Sequence, residues 1–170
     1  MAAANPFWDF SLAVYRLPGV AATCLRLQDE AGVDVNLLLY FCWLATVRAA
    51  ALDEAAIRQA VARTGAWRED VVRPLRALRR RMKDGIEGMP SESAEALRTE
   101  VKRIELQSER LLQDMLFDLS GTGAAGAFPG LAARRRAEEN IEKYLEVIGT
   151  PRSEPVIRDY RAVIEGGIAE

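Results

Sequence analysis

Histidine is absent from all 170 residues of this chain. That removes Ser/His/Asp and Cys/His nucleophile systems, every histidine-ligated metal site, and the side chain that titrates nearest neutrality. Cysteine is scarce. Cys24 and Cys42 stand 18 positions apart with no CxxC spacing and no second pair, which argues against zinc, thioredoxin-type chemistry or a disulfide framework; both are expected as buried reduced thiols. Net charge is scarce too, at -2 over 28% charged residues, so no bulk field draws nucleic acid or anionic lipid and such a partner needs a local patch. Long apolar runs are missing. The longest uncharged one, residues 35–47, falls short of the roughly 20 residues that cross a bilayer. Asp9 precedes the first basic residue, Arg16, unlike the basic start of a signal peptide. The expectation is a cytoplasmic chain with no transmembrane insertion.

What is present favours helix: 27 alanines stand against 12 valines and 8 isoleucines, and alternating apolar–polar runs are lacking. The pattern predicts an all-α, single-domain helical bundle of about seven to eight helices, with a buried central third helix and a long helical hairpin. Asn5-Pro6 opens the first helix as cap and first-turn proline, and Pro18-Gly19 closes it. The second turns Val20, Cys24, Leu25, Leu27 and Ala31 inward and stops at Gly32. Asp34 caps the third, which is apolar around its whole circumference and so belongs at the centre. A fourth runs from Asp53 to Gly65 and a fifth from about Trp67 to Lys83, with Val71, Leu75, Leu78 and Met82 at seam spacing. Ser91 or Ser93 caps a long sixth helix whose Leu97, Val101, Ile104, Leu111 and Met115 repeat that seam, with Ser108 interrupting it. Residues 71–83 carry +6 and residues 84–133 carry -5, so an antiparallel hairpin is electrostatically matched. The expected organisation is a helical core over 5–119 that includes the 67–119 hairpin, a Gly/Ala-rich linker at 120–130, and a C-terminal helical pair over 131–170.

Motifs for chemistry are few. Gly121, Gly123 and Gly126 spell GxGxxG without the preceding strand that a dinucleotide fold needs, and no Gly-Lys-Ser or Gly-Lys-Thr forms a P-loop. Arg73, Arg76, Arg79, Arg80 and Lys83, with Arg81, make one concentrated basic patch; Arg134, Arg135 and Arg136 make a second. Guanidinium groups suit phosphate, but base-stacking aromatics are not interleaved, so a solvated face partly paired with the acidic sixth helix is preferred over a protein or lipid-headgroup contact, and that over nucleic acid. Glu138, Glu142 and Glu146 share a helix face, yet di-iron chemistry needs histidine partners, so the stripe is expected to be solvated. Seven of the twelve aromatics fall in the first 43 residues. Most of these residues are expected as caps and plain core; if the first three helices leave a cavity, Trp8, Tyr15, Tyr40 and Trp43 line it, with Asp9 or Asn36 orienting a ligand, and Trp8, Asp9, Gln28 and Asp29 alternatively form a surface.

The segments Asn5-Pro6-Phe7-Trp8-Asp9-Phe10-Ser11-Leu12, Leu17-Pro18-Gly19-Val20, Leu27-Gln28-Asp29, Asp34-Val35-Asn36-Leu37-Leu38-Leu39 and Trp43-Leu44 carry a resemblance. Together they resemble a family of small proteobacterial proteins known as a domain of unknown function, most strongly over residues 5–45 and more loosely to about residue 115. The resemblance implies a cytoplasmic helical protein and carries over no catalytic residue. The first functional expectation is a non-enzymatic interaction or adaptor protein with a protein partner and no cofactor or metal. The second is a helical carrier of small molecules or lipids, or an enzyme, with an apolar pocket near the third helix. The third is a nucleic-acid-associated protein using the arginine helix.

Overall fold

The computed structural model describes residues 5–121 and 130–169. Helix α1 (Pro6–Arg16) begins where the Asn5 side chain accepts the Trp8 amide hydrogen, and α2 (Val20–Ala31) ends at Gly32 with φ +67°. The Asp34 carboxylate accepts from the Asn36 and Leu37 amides to start α3 (Val35–Thr46), and Asp53 caps α4 (Glu54–Trp67) through the Ala56 amide. These three side-chain caps satisfy donors that the first helical turn leaves unpaired. Then come α5 (Arg73–Arg81), the 29-residue α6 (Ser91–Leu119), α7 (Leu131–Val147) and α8 (Glu154–Ala169). The described residues contain no strand, so the fold is all-α as the pattern predicts.

Ten of the twelve α3 residues are buried, because α7 and α8 pack along one side while α1, α2 and α6 cover the rest. Trp43 sits at the centre, its ring 5.5 Å from Phe7 and 5.9 Å from Phe117. The core continues through Ala137, Ile141, Tyr144, Tyr160, Val163 and Ile164, so α7 and α8 bury their apolar faces in the same cluster as α3. Asn140, fully buried on α7, accepts from the Leu52 amide at 2.8 Å and donates to the carbonyls of Ala50 at 3.0 Å and Phe41 at 3.4 Å. It holds the α3–α4 loop, in which Ala49 adopts φ +51°. Helix α8 approaches closely at Gly166 and Gly167: a Cβ at Gly167 would stand 2.7 Å from Cys42 Sγ and 2.9 Å from Phe10 Cζ.

Four expectations are corrected. The fourth helix does not end at Gly65; α4 runs through a π-helical turn (Arg68–Val72) into α5. Glycine lowers helix stability by only about 1 kcal/mol, and the π turn, closed by the Arg73 amide on the Arg68 carbonyl, immediately precedes the donor-less Pro74. Neither Ser91 nor Ser93 caps α6; the capping position is Pro90 and Ser91 is the first helical residue. The apolar seam is out of phase. Leu97, Ile104 and Leu111 are exposed, as is Leu78 on α5, whereas the buried face of α6 is Ala94, Val101, Glu105, Ser108, Leu112 and Leu116, with Gln113 beside them. Arginine dominates the facing side of α5, so the hairpin joins through ion pairs rather than leucines. Leu25 is the fourth, exposed rather than inward. Residues 122–129 of the expected linker, including Gly123 and Gly126 of the glycine motif, lie outside the described residues. Among the described residues, no helix is long and apolar enough to cross a membrane.

Candidate functional site

Helix α1 has two faces. Phe7, Phe10 and Val14 enter the core, whereas Trp8, Ser11, Leu12 and Tyr15, at spacings of 3, 1 and 3, form the wall of a cleft. The cleft, of about 570 Å³, opens between α1, α2, α5 and α6 with the first turns of α3 as its floor. That volume suits a small organic ligand. Leu25 and Leu106 add apolar surface at the sides. Trp8 is held from outside: the Arg110 guanidinium lies 5.0 Å from its ring centroid and pairs with Asp114, which also accepts from Asn5 Nδ2 at 2.6 Å.

The arginines of α5 project into this cleft and are met there by acids. Arg76 donates to Gln28 at 2.5 Å, to Glu109 at 2.5 Å and to Glu105 at 3.3 Å. Arg79 pairs with both oxygens of Glu105, and Arg80 with both of Asp29 at 2.8 and 3.1 Å. Burial raises the Glu109 carboxyl above the ordinary glutamate range against the pull of Arg76, while the Arg80 hydrogen bond holds Asp29 below the aspartate range. Burial likewise raises the Tyr15 phenol.

Two other places are less complete. At the outer end Lys83, Lys102 and Arg98 converge; neither lysine has a carboxylate within ion-pair distance among the described residues, and the buried Arg98 Nε has no acceptor although its Nη1 reaches Glu95. At the floor, Gln113 is 3% exposed and donates its amide to Asn36 Oδ1 at 2.8 Å, leaving its own Oε1 buried without a donor.

The structure thus gathers Trp8, Tyr15, Gln28, Asp29 and Asn36 with Arg76, Arg79, Arg80 and Lys83, two groups that sequence analysis treats separately, around one cleft. Others lie elsewhere. Tyr40 and Trp43 are core residues packed on Phe7, and burial pushes the Tyr40 phenol up to about 12. Asp9 is exposed in the first turn of α1, outside the cleft lining. Arg73 pairs with Glu69 at 2.8 Å on the surface and borders a smaller depression of about 250 Å³ beside Asp34. The second basic run is also met by acids: Arg134 by Glu165 on α8, Arg135 by Glu139 one turn along α7. The glutamate stripe is not simply solvated, since Glu138 pairs with Arg161 and Glu142 with Arg152 and the Tyr160 hydroxyl. Cys24 and Cys42 are buried free thiols pushed up to about 12 by desolvation. Among the described residues, no three His, Cys, Asp or Glu side chains gather as a metal site.

Helix α6 adds Arg98, Lys102, Glu105, Glu109 and Gln113 to the cleft, none of them among the residues expected there from the sequence. A signal was present: spacings of 4, 3, 4 and 4 place them on one helix face, so a polar stripe at core-like periodicity marks a helix facing a wet interior cleft.

The family described as "Protein of unknown function (DUF2390)" matches residues 6–116, and the chain belongs to it. Every residue lining the cleft falls within that span, whereas α7 and α8 lie beyond it. No curated protein and no solved structure matches the chain.

Proposed function

We propose that this member of the family works by binding, and that the ligand is a small amphipathic anion held in the α1–α2–α5–α6 cleft. The observation that carries this reading is the buried, donor-less Oε1 of Gln113 at the floor of an otherwise organised cleft. An unsatisfied buried acceptor costs about 1–3 kcal/mol, and a ligand hydrogen bond is one way to recover it. Two features agree. Tyr15 and Leu25 leave apolar surface open at the cleft, and Lys83 and Lys102 offer charge that no carboxylate of the described chain neutralises. Nucleic acid is a poorer fit, because Arg76, Arg79 and Arg80 are already engaged by Glu105, Glu109 and Asp29. The test is calorimetric titration of the parent and of a Lys83→Glu/Lys102→Glu variant with dodecyl phosphate and with nucleoside diphosphates. Saturable binding of either probe by the parent, weakened at least tenfold in the variant, supports the reading; no binding of any probe, or equal binding by both proteins, refutes it.

A second reading, contact with a protein, draws on one observation. Leu97, Ile104 and Leu111 recur every seven residues on the outer face of α6 and are all exposed. Replacing all three with glutamine tests it: loss of a co-purifying protein with thermal stability retained supports such a contact.

A further inference from the structure

Resting on the cleft reading, we infer that the ligand is a nucleoside diphosphate, its base edge on the Asn36–Gln113 pair at the floor and its phosphates at Lys83, Lys102 and Arg98. The floor sets the first requirement. Because Gln113 Nε2 is directed at Asn36 Oδ1, the pair leaves Gln113 Oε1 as an acceptor, while no acceptor among the described residues takes the Asn36 Nδ2 hydrogens. An acceptor on Gln113 and a donor on Asn36, its hydrogen-bonded neighbour, can be met by a ligand edge that carries both a donor and an acceptor, and a nucleobase has such an edge. An alkyl chain would leave Gln113 Oε1 without a donor on a side chain of 3% residue exposure.

The walls set the second requirement. Trp8 and Tyr15 on α1 present ring surface along the cleft, and the Arg110 guanidinium outside Trp8 fixes its indole. Aromatic walls accept the flat face of a base. Length sets the third. Gln113 and Lys102 are eleven residues apart on one straight helix, about 16 Å at 1.5 Å per residue, and Arg98 stands one turn further. An extended nucleoside diphosphate is of that order of length and brings two phosphates to the cation end. The cation end is ready for an anion: two lysines from opposite helices stand without carboxylate partners beside the buried Arg98 Nε that lacks an acceptor.

Equilibrium dialysis of the full chain with ADP, GDP, UDP and CDP, and with pyrophosphate, ribose 5-diphosphate and dodecyl phosphate, tests the inference. The expected result is that at least one nucleoside diphosphate binds tenfold or more tightly than pyrophosphate and ribose 5-diphosphate. Gln113→Met should weaken that nucleotide at least tenfold and leave dodecyl phosphate unchanged, while Lys83→Gln/Lys102→Gln should weaken both. Binding of dodecyl phosphate without any nucleotide preference overturns the nucleotide assignment and leaves the cleft reading standing. Failure of every probe overturns both. A folded Gln113→Met chain that retains full nucleotide affinity also overturns the assignment; if that variant does not fold, the comparison with ribose 5-diphosphate on the parent decides.

Discussion

Two buried amides flank α3, and they are treated oppositely. On the α7 side Asn140 uses both functions of its amide, accepting from Leu52 and donating to Ala50 and Phe41. On the α6 side Gln113 donates once to Asn36 and leaves its carbonyl oxygen unpaired beneath an open cleft. The first amide closes a loop against the core, as buried polar groups in stable interiors do. The second stands where the chain's own atoms stop supplying partners. Charge differs in part along the same division: Arg134, Arg152 and Arg161 pair with Glu165, Glu142 and Glu138, and Lys143 donates to the Leu52 carbonyl, whereas Lys83 and Lys102 at the cleft have no acidic partner among the described residues. On one side the buried amide is satisfied by the chain's own residues, and on the other a buried acceptor is left at an open cleft.

The largest expected effect lies on the closed side. Trp43→Ala removes a 1%-exposed indole at the centre of the aromatic cluster and should lower stability by about 3–5 kcal/mol, read as a shift in denaturation midpoint. If stability holds while ligand binding disappears, the central-core assignment is wrong. Next comes the direct contrast between the amides. Asn140→Leu strands the Leu52 amide and the Ala50 carbonyl and should cost about 2–3 kcal/mol, whereas Gln113→Met, beside a solvent-open cleft, should change stability by less than about 1 kcal/mol. Equal costs, measured by urea unfolding, would erase the distinction drawn between the two sides.

Gly167→Ala follows, at about 1–2 kcal/mol, since the added methyl must displace Cys42 Sγ or the Phe10 ring at the α8 contact. An unchanged melting temperature would mean that α8 packs less closely than its two glycines indicate. The smallest effect is pH-dependent. The Arg26 hydrogen bonds hold the Asp159 carboxyl below its ordinary value of 3.8, so the folded state binds that proton less readily than the unfolded one. The pair's contribution is therefore fully present above about pH 3.8 and is lost as pH falls through the lower folded value. Asp159→Asn should flatten thermal stability across that acid window and leave its pH dependence near neutrality alone.

The helix boundaries set by side-chain chemistry were legible in the sequence. Asn5 and Asp34 cap where their positions indicate, Gly32 ends α2 in the left-handed region, and the unbroken apolar circumference of α3 places it at the centre. Features that depend on what faces a helix were not. Leu97, Ile104 and Leu111 spell a seam, but α5 offers arginines to that neighbour, so Glu105 and Ser108 take the buried positions. Gly65 reads as a stop only until the packing of Thr64 and Arg68 is known to continue the helix past it. The aromatic and arginine groups lie in different helices, and only the antiparallel return of α6 brings them to one cleft. Asn140 and Gln113 are chemically alike in sequence; only their surroundings separate a loop clamp from a candidate ligand contact.

That separation can be measured on the intact chain. In a nitrogen-15-labelled sample, the side-chain amide signals of Gln113, Asn36 and Asn140 can be followed while ADP, GDP, UDP, CDP and dodecyl phosphate are titrated in turn. The account predicts that at least one of these amphipathic anions shifts the Gln113 and Asn36 signals saturably and leaves Asn140 in place. If no probe moves the Gln113 amide at saturating concentration, or if Asn140 moves as far as Gln113, the cleft is not the binding site.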